Sequence, residues 1–417
     1  MEYVPRLADR TLAENLDALG AVVIEGVRGC GKTETARQAA LSEVRFDVDA
    51  DATRLAELDP TLILDGDAPR LLDEWQRAPR VWDAVRRRVD DRHTPGQFIL
   101  TGSATPDDTI QRHSGAGRFA VMQMRTMTLA EKQVTTPSVS LADLLAGGAV
   151  TPSRSELSMA EYLHHVVVGG WPELVGAGEA KARRFLDGYI ATTVERDLPQ
   201  LSGARRNPAL MRRFLHAYAQ QTAQATTIQT ISTTVAGFRN PDTKTVSRDT
   251  AAAYHQALAR MWVVDDLPGW VPPARGKARF TTTPKRHLAD PALAARLLGL
   301  NSTGLRNDLG TAGLLFESLV VHDLRAYADA CGALALHYRT PNSRDEIDCV
   351  IETPTGDWAG FEVKLGTDEA VNDAIRKLKR VEGGMRRPAK NLVVVTASGV
   401  VESRNGVQVV PLGAIGP

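Results

Sequence analysis

The chain lacks a net charge, a cysteine framework and a long apolar run. Its 50 lysine and arginine residues balance 50 aspartate and glutamate residues, so no global charge directs the protein to nucleic acid or to a membrane surface. Cys30, Cys331 and Cys349 are widely spaced and form no C-x-x-C pair, which argues against a disulfide framework or a zinc site. Because the sequence holds no uninterrupted run of roughly eighteen apolar residues and no secretory segment after Met1, we expect a cytoplasmic protein without a membrane partner.

What the sequence does contain is a phosphate-binding loop. An apolar run, residues 21–24, leads into residues 26–33, Gly-Val-Arg-Gly-Cys-Gly-Lys-Thr, which match the G-x-x-x-x-G-K-T pattern. Its glycines allow backbone N–H groups to surround a phosphate at the start of the following helix. A chance glycine-rich turn is the alternative, but the flanking strand and helix signals are the context that the motif requires. We predict that ATP and Mg²⁺ bind here, with Thr33 as a metal ligand and with a nucleotide site formed by Gly26, Arg28, Gly29, Cys30, Gly31, Lys32, Thr33 and Glu34.

A second motif, residues 69–76, resembles a Walker B segment, Pro-Arg-Leu-Leu-Asp-Glu-Trp-Gln. An acidic residue at the carboxyl end of a buried parallel strand lies beside the phosphate loop, where Asp73 would hold Mg²⁺ through its water shell. Glu74 would then polarise the attacking water as a catalytic residue. An Asp-Glu pair also occurs at solvated helix starts, but its distance from Lys32 and Thr33 favours the catalytic interpretation.

Two further candidates follow along the chain. The strand signal at residues 97–100 ends in Thr101-Gly102-Ser103, where Ser103, or Thr101 behind it, would orient the lytic water or contact the γ-phosphate. A serine that caps the next helix is the alternative for Ser103. Arg118, at the entry to another strand, would neutralise transition-state charge in its own subunit or in a neighbouring one, unless it is an ordinary surface arginine.

The order of these motifs resembles a family of prokaryotic AAA-type ATPases that join a P-loop domain to a C-terminal region. Segments at 169–173 and 189–197 extend the resemblance over nearly the whole chain. The resemblance, together with a Ser/Thr/Pro/Gly-rich linker near residues 135–155, implies an α/β protein of three domains. These are an AAA-type P-loop ATPase domain with a parallel sheet at 1–135, a helical or winged-helix domain at 136–300, and a mixed α/β, restriction-endonuclease-like domain at 301–417.

The winged-helix expectation depends on two adjacent segments of the middle domain. Ser247 is placed to cap a helix that follows it, and residues 263–268 suit a strand of a wing. Such a module binds DNA, here with Lys244 and Arg248 as phosphate contacts, or it packs as a lid on the ATPase. Nearby acidic residues dilute the positive charge and favour the lid.

A further constellation resembles the PD-(D/E)XK nuclease core. Glu317 belongs to a helical segment, Asp348 to a strand, and Glu362 and Lys364 share one face of the next strand because they are two residues apart. The resemblance implies that Glu317, Asp348 and Glu362 bind Mg²⁺ or Mn²⁺, and that Lys364 is a catalytic residue that helps to activate water against a phosphodiester. Many such folds bind nucleic acid without cutting it, so cleavage and binding both stay open.

A basic patch follows this constellation and suits a phosphate backbone of DNA or RNA, although a solvated helix face is the alternative. Its members run from Arg376 to Lys390: Arg376, Lys377, Lys379, Arg380, Arg386, Arg387 and Lys390. We therefore predict an ATP-hydrolysing protein whose nucleotide state controls a metal-dependent nuclease-like domain. The alternatives are a non-cleaving signalling or scaffold ATPase whose C-terminal fold binds a partner, and an ATP-responsive winged-helix DNA-binding regulator. Oligomerisation stays open.

Overall fold

A computed structural model describes residues 3–103, 115–198, 207–236, 246–272, 283–340 and 345–417. The described residues divide into two compact units. Among the described residues, the first contains the chain up to Met127 together with Ala257–Val263, and the second contains residues 128–198, 207–256 and those from Val264 to Pro417. Among the helices that the structure describes, none combines the length and the hydropathy that a bilayer crossing requires.

The first unit is built on a five-stranded parallel sheet, as the sequence predicts. The strand order is β2-β3-β4-β1-β5. Strands β1 and β4 are almost entirely buried, which explains why both are apolar runs rather than alternating patterns. The strands are β1 (Ala21–Glu25), β2 (Ser42–Arg45), β3 (Arg70–Asp73), β4 (Phe98–Gly102) and β5 (Phe119–Gln123), and the helices are α1 (Leu7–Ala18), α2 (Lys32–Ala39), α3 (Ala50–Leu58) and α4 (Val81–Arg92).

The parallel register decides which loops share an edge of this sheet. Asp73 pairs with Thr101 across β3 and β4, and Glu25, at the end of β1, pairs with Gly102. The carboxyl ends of these three strands therefore lie together, next to the loop that leaves β1. At the opposite edge, Ala21 pairs with Phe119, so Arg118, the residue before β5, lies where the strands begin.

The middle of the chain is helical. Ser247 caps α10, since the backbone N–H of Thr250 donates to its Oγ over 3.1 Å. The predicted wing strand forms only isolated antiparallel bridges, at Val264 with Leu288 and at Leu267 with Lys285, and Lys244 lies outside the described residues. The helices are α5 (Leu141–Leu145), α6 (Met159–Val168), α7 (Glu179–Thr192), α8 (Pro208–Ala219), α9 (Ile228–Ala236), α10 (Arg248–Arg260), α11 (Pro291–Leu297) and α12 (Ser302–Asn307).

The C-terminal part of the second unit contains a six-stranded mixed sheet in the order β11-β12-β10-β9-β8-β7. Strand β10 is parallel to β9 and β12, whereas β7, β8 and β9 are antiparallel neighbours. The sheet is thus mixed, as the sequence predicts. The elements are α13 (Leu309–Ala330), β7 (Leu334–Arg339), β8 (Glu346–Glu352), β9 (Trp358–Lys364), α14 (Asp368–Gly383), β10 (Asn391–Thr396), β11 (Glu402–Arg404) and β12 (Val407–Pro411), while β6 (Val139–Ser140) pairs with β13 (Ile415–Gly416).

The sequence of helix α14 explains why this helix packs against the sheet. Thr367 caps it by accepting the Ala370 N–H at Oγ1 over 3.3 Å, and acidic residues occupy its first turn. Its buried residues recur every three or four positions and form one apolar stripe that packs into the core of this sheet. The buried residues are Val371, Ala374, Ile375, Leu378 and Val381.

Candidate nucleotide site and C-terminal acidic pocket

The phosphate loop connects β1 to α2 through backbone that favours glycine. Gly31, the residue before α2, has φ 109° in the left-handed region. Gly26 has no room for a side chain, because a Cβ there would lie 2.1 Å from the carbonyl oxygen of Met124. The loop is thus a tight turn immediately before a helix N-terminus, which is the geometry that binds phosphate.

Lys32 lies inside this loop. Its ammonium donates to the carbonyl oxygens of Gly26 and Val27 over 2.8 and 3.0 Å, and the residue is buried.

Of the other predicted nucleotide contacts, Cys30 has its thiol buried against the Met124 carbonyl, so only its backbone faces the loop. Glu34 forms a surface ion pair with Arg37, and Arg28 is exposed.

Thr33, Asp73 and Thr101 converge at the edge of the sheet. The hydroxyl of Thr33 donates to Oδ1 of Asp73 over 2.8 Å, and the hydroxyl of Thr101 donates to the same oxygen over 2.5 Å. Asp73 is buried, and its position opposite Thr101 in the β3–β4 register explains the second contact. The group offers hydroxyl and carboxylate oxygens, the donor set that Mg²⁺ prefers.

Glu74 and Ser103 form a second contact beside the first. Ser103 donates to Oε2 of Glu74 over 3.3 Å, and Gln76 also donates to this oxygen. Glu74 has φ 55°, a left-handed conformation uncommon for a residue other than glycine. The structure therefore brings Glu74 and Ser103 together. Gln76 was missed, although it belongs to the same Asp-Glu-Trp-Gln segment.

Arg118 does not join this group. Its carbonyl accepts the N–H of Ala21 over 3.1 Å, which places it where β1 begins, and its Nε donates to Asp90 over 2.7 Å. The phosphate loop leaves the other end of β1, and the two ends of a five-residue strand lie about 13 Å apart. The structure thus separates Arg118 from the phosphate loop of its own chain.

Arg6 contacts the loop although no sequence pattern indicated it. Its guanidinium is buried and donates to the carbonyl oxygens of Cys30 and Arg125 over 2.8 and 2.9 Å. Arg6 stands 24 residues before Cys30, so only the tertiary fold brings the two together. Arg6 therefore stabilises the phosphate loop by donating to a backbone carbonyl oxygen of the loop.

The acidic residues predicted in the C-terminal part also converge, but around a lysine. Lys285 donates from Nζ to Glu317 over 2.7 Å, to Glu346 over 2.9 Å and to Asp348 over 2.9 Å. Its side chain is only 1 % exposed. We name Glu317, Glu346, Asp348 and Glu362 together the acidic pocket.

Glu362 has two lysines of its own. As predicted, it shares a face of β9 with Lys364, whose ammonium donates to its Oε1 over 2.9 Å. Lys377 of α14 donates to the same oxygen over 2.8 Å, while the buried Oε2 of Glu362 has no hydrogen-bond partner. Lys364 is therefore an ion-pair partner of Glu362 in this arrangement.

Opposing effects set the protonation of the pocket. Burial lowers the pKa of Lys285, but Asp348, Glu317 and Glu346 outweigh burial and raise it well above its usual value. Burial raises the pKa of Asp348, yet the nearby lysines, Lys285 first, reverse this and lower it. Burial, followed by the charge of Asp348, raises the pKa of Glu317 to about 8. The pocket thus holds a charged lysine against one strongly ionised carboxylate.

The predicted Mg²⁺ or Mn²⁺ site does not fit this geometry. Oε1 of Glu317 and Oδ1 of Asp348, which would ligate a cation, are engaged by Lys285, and Oε1 of Glu362 is engaged by Lys364 and Lys377, which leaves the buried Oε2 of Glu362 without a partner. Within the described ranges, no group of three or more His, Cys, Asp or Glu side chains is arranged to hold a metal ion. Lys285 was missed because residues 283–288 carry no motif that links them to Glu317 or Asp348.

The basic patch contains more ion pairs than its sequence indicates. Only Glu382 opposes it in the sequence, whereas the structure pairs five of its members with acidic side chains. Arg376 pairs with Asp373, Lys377 with Glu362, Arg380 with Asp345, and Arg387 and Lys390 both with Asp357. Lys379 and Arg386 have no acidic partner among the described residues.

Comparison with known proteins identifies one of the modules. Residues 19–132 match the family model described as "AAA domain". This part of the chain is an AAA-type P-loop ATPase domain. Residues 159–304 and 312–415 match two families described as "Domain of unknown function (DUF8612)" and "Domain of unknown function (DUF4143)".

Similar proteins occur in mycobacteria. "Uncharacterized protein Mb2031c" of Mycobacterium bovis and "Uncharacterized protein Rv2008c" of Mycobacterium tuberculosis are each 29% identical over 382 residues, covering 89% of this chain and 76% of theirs. Among solved structures, the Walker-type ATPase paby2304 of Pyrococcus abyssi aligns at a TM-score of 0.42 and 12% identity, over 69% of this chain and 94% of that one. The Aeropyrum pernix ORC1 protein in complex with DNA aligns at 0.22 and 14%, over 71% and 94%. Neither structural likeness is close enough to indicate a shared function.

Proposed function

We propose that the protein is an ATP-hydrolysing switch whose nucleotide state controls its C-terminal module. The ATPase part of this proposal is supported by the contact between Thr33 and Asp73, which joins the phosphate loop to the Walker B strand. Lys32 would bind the β- and γ-phosphates in place of the two loop carbonyls, and Thr33 and Asp73 would hold Mg²⁺. Mg²⁺, when bound, neutralises charge on the phosphates.

Glu74 is the residue that would take the proton of the attacking water. It follows the metal-binding aspartate by one residue, and its half-buried carboxylate lies at the same edge of the sheet. Ser103 and Gln76 both donate to Oε2, which fixes the carboxylate in one orientation and leaves Oε1 to contact water. Ser103 is then a positioning residue for Glu74.

Arg118 fits only the second of its two predicted roles. Its position at the far edge of the sheet argues against stabilisation of charge at its own nucleotide. Its side chain is 43% exposed, so it is available to a neighbouring subunit. We propose that any catalytic role of Arg118 is exerted in trans and requires an oligomer.

For the C-terminal module we propose a PD-(D/E)XK-like fold that binds a partner without cleaving nucleic acid. The element order α13-β7-β8-β9-α14-β10 around a mixed sheet supports the fold. The contacts of Lys285 favour the non-cleaving alternative over the metal-dependent nuclease, because cleavage in this class needs a cation at the carboxylates.

Contact with DNA or RNA stays part of the proposal in a reduced form. Internal ion pairs weaken the positive field of the basic patch, and Lys379 and Arg386 are the members best placed to neutralise phosphates. Arg248, at the start of α10, would add a contact if the middle segment is a DNA-binding winged helix. Two or three phosphate contacts give weak binding with a shallow dependence on salt, because the slope scales with the number of contacts.

The test of this proposal uses a trapped nucleotide state. Glu74→Gln protein should bind ATP without turnover, and ATP should then change hydrogen exchange in residues 301–417. Lys32→Ala protein, which cannot bind ATP, is the matched control and should show no change. An ATP-bound Glu74→Gln protein with unaltered exchange in residues 301–417 would refute the coupling.

A second experiment separates binding from cleavage. Wild-type protein incubated with Mg²⁺ or Mn²⁺ and single- or double-stranded DNA or RNA should leave every substrate intact. Cleavage that disappears in both Glu362→Ala and Lys364→Ala proteins, while ATP turnover persists, would restore the nuclease function and remove the non-cleaving alternative.

A further inference from the structure

The acidic pocket contains its own cation. We propose that Lys285 permanently occupies the position at which a divalent ion would bind to the C-terminal module, so that this module folds and functions without metal. The inference is independent of the ATPase proposal, because all of the residues concerned belong to the second unit.

The ammonium of Lys285 is saturated with hydrogen-bond acceptors. A lysine ammonium has three N–H donors and no acceptor. Lys285 has three carboxylate partners, Glu317 at 2.7 Å and Glu346 and Asp348 both at 2.9 Å. At 1 % exposure it has no donor left for water or for a phosphate of a substrate. It therefore acts within the pocket and not on a ligand.

Lys285 and a divalent ion would compete for the same carboxylate oxygens. Mg²⁺ requires oxygen ligands at about 2.0–2.1 Å in near-octahedral geometry. Oε1 of Glu317 and Oδ1 of Asp348 already accept from Lys285, so a cation could bind them only after the ammonium had left. Removal of one partner from a buried ion pair is strongly unfavourable, because it leaves an uncompensated buried charge.

The positive and negative charges in the acidic pocket nearly balance. Four carboxyl groups, among which Glu317 has a pKa raised to about 8, face three ammonium groups, those of Lys285, Lys364 and Lys377. The pocket is therefore close to neutral as it stands, and a divalent ion would add excess positive charge to a buried space. An acidic pocket that binds metal normally depends on the metal for this compensation.

The backbone of Lys285 is held by hydrogen bonds. Its N–H donates to the carbonyl of Leu267 over 3.0 Å, and its own carbonyl accepts the N–H of Leu267 over 2.9 Å. The next two residues are anchored as well, Arg286 by an ion pair to Asp266 and His287 by a contact with Ser318 over 3.0 Å. Lys285 thus belongs to the packed structure and cannot swing out as a free loop would.

The proposal is tested by titrating nucleotide-free, full-length protein with Mn²⁺ and measuring free Mn²⁺ by electron paramagnetic resonance. All variants carry Asp73→Asn, which removes the metal ligand of the ATPase domain. The protein with Lys285 should bind no Mn²⁺ in the pocket. Lys285→Ala should gain one Mn²⁺ site whose Kd is at least tenfold lower than that of any residual Mn²⁺ binding by the protein with Lys285. Adding Asp348→Asn should abolish this site.

Lys364→Ala is the matched control, because it deletes one ammonium from the same pocket but leaves Lys285 in the centre. It should gain no site. Since loss of a buried cation endangers folding, a second variant combines Lys285→Met with Glu346→Gln, which removes one positive and one negative charge. Circular dichroism identifies the folded variants, and Mn²⁺ should raise the Tm of those without Lys285 only.

Two results would overturn the proposal. In the first, protein that retains Lys285 binds Mn²⁺ and loses this binding when Asp348→Asn is added. The ammonium would then share or vacate the site. The other is a folded variant without Lys285 that binds no Mn²⁺, since Lys285 would then not stand in a cation position. Neither result affects the ATPase proposal, because the ATPase metal ligand is absent throughout.

Discussion

The hydroxyl of Thr33 and the carboxylate of Asp73 are joined over 2.8 Å, although 40 residues separate them in the sequence. The same carboxylate oxygen accepts the hydroxyl of Thr101 from the neighbouring strand. One buried oxygen therefore links the phosphate loop to β3 and β4. This contact orients the oxygens expected to bind Mg²⁺.

Glu74→Gln should abolish ATP hydrolysis and preserve ATP binding. Glutamine keeps the shape of the side chain and its contact with Ser103 but cannot accept the proton of water, so we expect turnover to fall about 10²–10⁴-fold. A phosphate-release assay with parallel calorimetry measures both quantities. Turnover within tenfold of wild type would remove Glu74 from the mechanism.

Thr101→Val should weaken the response to Mg²⁺ without affecting folding. Valine matches threonine in shape but removes the hydroxyl that donates to Asp73. Loss of one such hydrogen bond corresponds to roughly 1 kcal/mol, or about fivefold in the Mg²⁺ concentration needed for half-maximal hydrolysis. Ser103→Ala is the control, because Ser103 contacts Glu74 instead, and it should lower the maximal rate at an unchanged Mg²⁺ requirement.

Arg118→Ala should leave hydrolysis nearly unchanged in dilute protein. Arg118 lies at the strand-start edge of the sheet and forms a solvent-screened ion pair with Asp90, which contributes little to stability. If it acts in trans, the variant loses activity only at concentrations at which copies associate, as seen by light scattering. An equal loss at every concentration would show that the separation from the phosphate loop is not maintained during catalysis.

Acidification should destabilise the second unit through its buried histidines. Burial, reinforced by Arg325 and Lys285, lowers the pKa of His287 from 6.5 to about 3, and burial followed by Lys285 lowers that of His337 to about 4. Both stay neutral when folded but take up a proton near pH 6.5 when unfolded. Their contribution to stability is thus present above pH 6.5 and is lost as the pH falls toward the folded pKa.

Urea unfolding of wild-type and His287→Gln proteins between pH 7 and pH 5 measures this effect. Below pH 6.5 the free energy of unfolding should decrease more steeply in the wild type, by about 1.4 kcal/mol per pH unit. The opposite contribution of Glu317, whose raised pKa favours stability at low pH, cancels in the comparison. Equal slopes in the two proteins would show that His287 does not stay neutral in the fold.

The nucleotide site could be predicted from the sequence because its determinants are local. The glycines of residues 26–31 and the strands that end at Asp73 and Gly102 specify a turn and a parallel register, and these place Glu74 beside Ser103. The location of Arg118 could not be predicted in the same way. A position just before a strand does not show at which edge of the sheet the residue lies until the strand direction is known. Arg6 could not be found, because its contact with Cys30 depends on tertiary packing alone.

The C-terminal pocket was predicted only in part. The two-residue spacing of Glu362 and Lys364 gives their shared face directly. Lys285 lies 32 residues before Glu317 and 63 before Asp348, and its segment has no periodicity that directs it toward them. The sequence therefore shows the carboxylates but not the ammonium that neutralises them, so the chemistry inferred from the carboxylates alone was a metal site.

Isothermal titration of ATP with Mg²⁺ into folded full-length protein tests the central claim most directly, with Lys32→Ala as the paired sample. The phosphate loop and its lysine should give saturable binding of one ATP per chain in the wild type and no binding in the variant. Absence of heat from the wild-type protein, or equal binding by the variant, would contradict the assignment of residues 26–33 as the nucleotide site.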